Sequence, residues 1–506
     1  MQRPVVVMIV LLALLAGLIV LLPDSRPQKL VNDGARVGSD APLVVYCAAS
    51  NRAVMEAVLS DYKTDYGVTV QVQFGASQSL LSAAEISGTG DLFVPADDSY
   101  LTLGRERELL AETLPLAEMQ AVVAVRKDAA FTLSRLSDLL QPGIRLVQAN
   151  PDAAAIGKLT RDRLTTSNQW EALAAATTSF KGTVNEVAND LKVGAADAGI
   201  VFEAVLHSHP DLQRVDLPEL ADIRAQVGVG VLTKSSQAAR ALHLARYLAA
   251  PEKGLRRYAE FGFRPVEGDA WADTPELTLY AGSMLRPAIE QTLTQFELRE
   301  GVRITRVYNG CGILVAQMQA GTVPDAYFAC DVEFMNQVRE LFPEPDNVSR
   351  NELVILVPKG NPRRLQTLKD LGRDGLRVGI GHEKQCAMGW LTQRTLVEGG
   401  VQTEVMQNVT VQTPTGDMLV NQMRAGSLDA AVAYLSNAAG SAEFLDAIRI
   451  PDLKCAVATQ PYGIAEQSKH PHLAQRLRER LMSVDSRAAF EAHGFQWFAV
   501  DGGVAK

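Results

Sequence analysis

Residues 43–74 read LVVYCAASNRAVMEAVLSDYKTDYGVTVQVQF, and residues 277–308 read LTLYAGSMLRPAIEQTLTQFELREGVRITRVY. Both stretches open on a β-rich apolar run, turn through small residues that include a serine, enter a helical pattern and return to a β-rich run. Setting Ser50 against Ser283 gives an offset of 283 − 50 = 233. The offset persists: Asp91 in DLFVPADDSYL against Asp325 in DAYFACDVEFM gives 325 − 91 = 234, and Phe202 against Tyr434 gives 434 − 202 = 232. Phe263 in FGFRP against Phe495 in HGFQW again gives 495 − 263 = 232. Anchors this regular over more than 200 positions mark an internal repeat, and a repeat fixes the architecture before any motif does. The chain is two copies of one domain.

Within each copy short β-rich runs alternate with amphipathic helical patterns. Residues 44–47 read as a buried strand, 52–66 place Val54, Val58 and Tyr62 at helical spacing, and 68–74 return to strand. Strand, helix and strand within about 30 residues imply βαβ units on a mainly parallel sheet, so the fold class is α/β. The run LVILVPKGNP at 353–362 reads as a strand crossing between lobes, with AVVAVRKD at 121–128 as its equivalent. These signals divide the chain into an N-terminal signal anchor or signal peptide (1–23), a polar stalk (24–42), domain one (43–265), a linker (266–276) and domain two (277–500).

Composition is that of an ordinary globular protein, 47% hydrophobic and 21% charged, and 506 residues exceed one compact core. The 49 basic and 58 acidic residues leave a net charge of −9, which argues against nucleic acid as a partner. Residues 5–22 form an unbroken apolar run behind Arg3, at the lower limit of what spans a bilayer, with no small-x-small cleavage site after it. That pattern predicts a transmembrane helix that anchors the body on the periplasmic or extracytoplasmic face of the inner membrane. A cleaved signal peptide is the alternative, and the body is exported in both cases.

The repeated turns are where chemistry can sit. In each copy a strand ends in a small-residue turn and a helix follows at once, first at Ser50 and Ser283, then at Ser77 and Cys311. A helix start presents unpaired backbone N–H groups and roughly half a positive charge, so two starts converging at strand ends suit an anion. Serines at such positions are also plain N-caps, and the sequence leaves both readings open.

The order of turns, VVYCAAS, then F-x-A-S, then DLFVPAD, resembles the periplasmic molybdate-binding proteins, solute-capturing components of molybdate and tungstate ABC transporters. The resemblance covers roughly 43–265 and 277–498. It implies a two-lobed periplasmic-binding-protein fold of the second type in each copy, a small oxyanion ligand and an ABC-type membrane permease as partner. In that family serine hydroxyls, backbone amides and a tyrosine hydroxyl hold the anion. Carried onto this chain, the resemblance implies Ser50, Ser77, the amides of Ile156, Gly157 and Val184, and Phe202 at the tyrosine position. In the second copy it implies Ser283, Cys311 in place of the second serine, Met388, Gly389, Gly416 and Tyr434. Each copy lacks one side-chain donor of the pattern: Phe202 has no hydroxyl, and a thiol such as Cys311 donates poorly.

Cysteine use is the second copy's own feature, since four of the five cysteines lie after residue 300. If the family fold holds, Cys311, Cys330 and Cys386 approach the cleft, with Met388 and His382 near them. Three readings stay open: a disulfide, a thiolate site for a soft metal drawing on Cys311, Cys330, Cys386 and His382, or a sulfur-lined oxyanion pocket. His207 and His209 read as a surface pair in a polar loop, the glycines at 228 and 230 as part of a strand, and QRLRERLM at 475–482 as a helix with a solvated basic face. Asp97 and Asp98 read as a helix start. No nucleophile, base and orienter set is present and no cofactor is implied, so the expectation is a binding protein and not an enzyme.

Overall fold

The computed structural model describes residues 41–451 and 453–498. Two α/β domains follow one another, as the repeat requires. Domain one contains β1 (Leu43–Ala48), β2 (Val70–Gly75), β3 (Leu92–Val94), β4 (Leu110–Arg126), β5 (Leu146–Ala149), β6 (Thr177–Lys181), β7 (Ala198–Phe202), β8 (Leu212–Val215), β9 (Arg224–Leu232) and β10 (Arg264–Pro265). Domain two repeats them as β11 (Glu276–Gly282), β12 (Arg303–Asn309), β13 (Ala326–Phe328), β14 (Asp346–Pro358), β15 (Val378–Gly381), β16 (Val409–Thr413), β17 (Ala430–Tyr434), β18 (Leu445–Arg449), β19 (Val457–Ile464) and β20 (Gln496–Trp497). Their orders are equivalent, β2-β1-β3-β9-β4-β7-β5-β6 and β12-β11-β13-β19-β14-β17-β15-β16.

Each domain has two lobes because one long strand serves two sheets. β4 pairs antiparallel with β9 from Leu110 to Gln120, then with β7 from Ala121 to Val125, and β14 does the same between β19 and β17. Of the crossing segments expected at 121–128 and 353–362, residues 121–126 and 353–358 belong to these strands, immediately after they cross, and the rest form turns. Within each lobe the strands that carry the crossover helices are parallel, β1 to β2 and β3, and β5 to β6 and β7, while the short strands β8 and β10 pair antiparallel with β4. Parallel order requires a helix on every crossover and leaves the strands' carboxyl ends facing the cleft between lobes.

Local chemistry explains the element bounds. The helix Arg52–Tyr66 buries Val54, Met55, Val58 and Tyr62 on one face and stops at Gly67, whose φ of 68° is left-handed. The strand expected over 68–74 runs from Val70 to Gly75. Asp98 precedes the helix Ser99–Glu106, and Asp97 accepts a hydrogen bond from the Ser99 amide at 3.1 Å, as read for an acidic helix start. The glycines at 228 and 230 lie inside β9, where added side chains would collide with Leu101 and Leu110.

Two expectations need correction. His207 lies in a 3-10 helix, Glu203–Ser208, not a loop; its ring stacks against Phe261, and His209 hydrogen-bonds the Val205 carbonyl at 3.0 Å. The face of the helix Pro471–Leu481 is not wholly solvated, because Arg476 is only 6% exposed. Linker residues are packed: the Asp269 carboxylate accepts the His472 and Leu473 amides at 2.9 Å each, and Trp271 lies among Tyr66, His243 and Tyr247. The expected transmembrane segment at 5–22 lies outside the described residues, and no helix among those described is long and apolar enough to cross a membrane.

The domains meet through a buried ionic triad. Glu300 of domain two, 1% exposed, accepts from Arg476 of the same domain at 2.7 and 3.0 Å, and its carboxylate and carbonyl accept from Arg246 of domain one at 3.3 and 2.6 Å. Burial pushes the Glu300 carboxyl up, but Arg476, Arg246 and Arg299 outweigh it and hold it below the usual range. All these groups belong to the lobes built on β1 and β11, so the interface joins those lobes. Removing the acid strands two buried guanidinium groups, and Glu300→Ala is expected to cost about 3 to 5 kcal/mol in a urea unfolding curve.

Candidate functional site

Element bounds set the two domains in register. The 3-10 turn Ala49–Asn51 corresponds to Ser283–Leu285 and the helix Arg52–Tyr66 to Arg286–Glu300, offsets of 283 − 49 = 234 and 286 − 52 = 234. The helix Ser77–Ser87 matches Cys311–Gln319 at the same offset, 311 − 77 = 234. In the second lobes Ala155–Thr166 matches Ala387–Glu398 and Val184–Lys192 matches Gly416–Arg424, both offset by 232 (387 − 155 and 416 − 184).

In domain one the ends of β1 and β2 and the starts of the helices Ala155–Thr166 and Val184–Lys192 converge on one small cavity of about 20 Å³ that is partly open to solvent. Ser50, Ser77, Ile156, Val184 and Phe202 all line it, so the structure brings five of the six expected residues together. The sixth, Gly157, is not among the lining residues. A side chain there would run into the Ala149 carbonyl, so the glycine lets the helix lie close on β5. The other walls are mainly alanines, and no charged side chain is among the lining residues.

Two hydroxyls face this space with capacity to donate. Ser77 Oγ accepts the Ala96 amide at 3.1 Å and keeps its own proton for another acceptor. Ser50 Oγ is buried with no partner among the described residues, a cost that a ligand oxygen would remove. Thr183, which the sequence reading missed, also lines the cavity, but its hydroxyl caps its own helix through the Glu186 amide and carboxylate. Asn185 was missed too: its Nδ2 reaches across the cleft to the Ala49 carbonyl at 3.0 Å, beside the Gln78 amide, which donates to Ala153 O at 3.2 Å. Only the three-dimensional return of the second lobe makes these contacts, and no local signal announces them.

Domain two places different groups in the same frame. Ser283 falls opposite Ala49, and Met284, 6% exposed, takes the Ser50 position. The expected match of Ser283 to Ser50 is therefore off by one residue, because the three-residue turn is conserved and the serine is not. Cys311 does stand opposite Ser77, yet it is bonded to Cys330, which stands opposite Ala96. The Cys330 amide still points at Cys311 Sγ at 3.0 Å, as Ala96 does at Ser77. Of the three readings open for the cysteines, the disulfide is the one found, and it removes Cys311 and Cys330 as metal ligands. Gly282 accommodates it: a side chain on that residue would overlap Cys330 Sγ and crowd Cys311 Sγ.

The remaining expected residues divide in the same way. Met388 stands at the Ile156 position, and Tyr434, 2% exposed, keeps a buried hydroxyl with no partner among the described residues. Gly389, like Gly157, serves close packing against its strand, and its amide donates to Cys386 O at 3.0 Å. Gly416 makes room for Asn437, whose side-chain amide donates to Asp417 at 3.3 Å. His382 is half-buried and its ring nitrogen accepts the Lys384 amide at 3.3 Å. Among the described residues no group of three or more His, Cys, Asp or Glu could hold a metal ion.

Burial raises the titratable groups of this second cleft. Burial pushes the Cys386 thiol up to about 11 despite the Met388 and Gly389 amides, so it stays protonated at neutral pH. Burial, with Asp331 and Cys386 nearby, holds the Tyr434 hydroxyl well above its ordinary range. Asp331 follows Cys330 and is itself pushed up to about 6 by burial.

Comparison with known proteins finds both copies of the repeat. The sequence pattern described as bacterial extracellular solute-binding protein matches residues 43–264 and again 277–496. The molybdate-binding protein ModA of Mycobacterium bovis is 25% identical over 223 residues, covering 43% of this chain and 84% of that protein. Among solved structures, the periplasmic molybdate-binding protein of Azotobacter vinelandii is 16% identical, covers 44% of this chain and 98% of its own, and has a TM-score of 0.39. The sulfate-binding protein SubI of Mycobacterium tuberculosis H37Rv is 15% identical, with coverage of 45% and 88% and a TM-score of 0.39.

The raised Asp331 carboxyl carries a signed consequence. Its folded value of about 6 exceeds the ordinary 3.8, so the stability it contributes is fully present below pH 4 and is lost as pH rises through 6. Asp331→Asn is expected to flatten the fall in melting temperature between pH 4 and pH 6.5, as read by scanning calorimetry.

Proposed function

The chain belongs to the bacterial extracellular solute-binding protein family, present twice in tandem, and from that premise we propose that domain one captures a small tetrahedral oxyanion of the molybdate and tungstate class. The observation that supports this reading most is the uncharged cavity of domain one, where Ser50 Oγ is buried without a partner and Ser77 keeps a free proton. A bare oxyanion has only acceptors to offer. Its match is a set of donors without competing acceptors, and helix-start amides and hydroxyls supply that set.

Capture proceeds by exchanging the ion's water shell for fixed dipoles as the lobes close about the crossing strand β4. Selection follows from the same fixity. An ion of the wrong size, or a protonated one, leaves buried donors unpaired at a cost of about 1 to 3 kcal/mol each. Phe202, 1% exposed, contributes shape to this cleft but no hydrogen bond. Release to an ABC-type permease is the partner reaction we propose, with the body outside the cytoplasmic membrane and residues 5–22 as its anchor.

Isothermal titration of the full chain with molybdate, tungstate and sulfate tests the reading. Ser50→Ala removes one hydrogen bond to a charged ligand, about 1.5 to 3 kcal/mol, and is expected to weaken binding roughly 10- to 150-fold. Phe202→Tyr restores a hydroxyl and is expected to tighten binding by about tenfold. Absence of heat with all three ions would sink the proposal.

A further inference from the structure

We propose that domain two is held closed without a ligand, so that the chain traps oxyanion in domain one alone. The inference rests on the reading of the domain-one cavity as the oxyanion site, because its argument is what stands at the same positions in domain two. Both serine positions are lost there, while the buried Tyr434 hydroxyl stands where domain one has Phe202: Ser50 becomes Met284, and Ser77 becomes Cys311 in a disulfide. The disulfide's second sulfur replaces an alanine wall, Ala96, and Gly282 in place of Ala48 lets the sulfur enter. Sulfur now fills what domain one keeps empty.

The approach of the lobes differs as well. Ala76 and Gln78, at the start of the domain-one helix, correspond to Gly310 and Gly312. A side chain on Gly310 would overlap the carbonyls of Gln385 and Pro414, and one on Gly312 would overlap the Lys384 carbonyl. The second lobe of domain two therefore lies directly on the backbone of the first. The Gly312 amide donates to Gln385 O at 3.1 Å, the counterpart of the bond from Gln78 to Ala153 O at 3.2 Å in domain one, so the difference between the domains lies in the glycines and not in this bond. Carbonyl oxygens turned toward this helix start occupy its donor capacity and repel an anion. Asn437 completes the seal by filling the space that Gly416 vacates where domain one has Val184.

Lobe closure that needs no ligand has a direct readout in amide hydrogen exchange on the full chain, with and without saturating tungstate. The Gly312 amide is expected to exchange at least about thirtyfold more slowly than an unstructured amide in ligand-free protein, and tungstate is expected not to change it. Faster exchange in the free protein, or added protection with tungstate, would overturn the proposal. The Gln78 amide reports separately on domain one: if tungstate leaves it unchanged, the oxyanion reading of domain one fails, and Gly312 still decides the present one. Gly312→Ala, which drives a methyl into the Lys384 carbonyl, is expected to speed exchange of that amide by about tenfold without altering Gln78. An unaltered rate in that variant would also count against closure by direct backbone contact.

Discussion

The oxyanion site we propose has no cation and so depends on the direction of backbone dipoles, and that constraint ties together the rest of this molecule. Helix starts must converge on one point, so strands must end there together, and parallel order with a helix on each crossover follows. β4 then has to serve two such sheets at once, which places the cleft between them. Side chains add little beyond this frame. In domain one they contribute two hydroxyls and a wall of methyl groups.

Because the frame is backbone, it survives when the side chains change. Domain two keeps the same strand order and helix starts while losing both serine positions and gaining a disulfide, two methionines and four close-approach glycines. Fold and ligand capacity are thus separable, and a duplicated domain can lose the second while retaining the first. What domain two retains is its interface. Glu300, held between Arg246 and Arg476, fixes the first lobe of one domain against that of the other, and the lobes carrying β7 and β17 lie away from that contact.

The sequence carried the architecture because periodicity and repeats are local or registered properties. The helix Arg52–Tyr66 was legible to the residue, and five of six domain-one site positions followed from the order of turns. The failures share a cause. Gly157 and Gly389 look like amide donors in a string, yet their missing side chains matter for helix-on-strand packing, which only coordinates reveal. Ser283 was set against Ser50 because identical residues attract alignment, whereas the conserved feature is the length of the turn. Arg476 falls on a polar helix face and becomes buried because another domain covers it. The Cys311–Cys330 pairing, one of the readings left open, needed the proximity of a helix start to the end of β13.

The central claim is that one chain carries one oxyanion, and the direct measurement is the number of tungstate ions bound per chain. Equilibrium dialysis with elemental analysis of the full chain is expected to give a single site, abolished by Ser77→Asp, whose carboxylate would repel the ion. Two ions per chain, or one that persists in Ser77→Asp, would contradict the account.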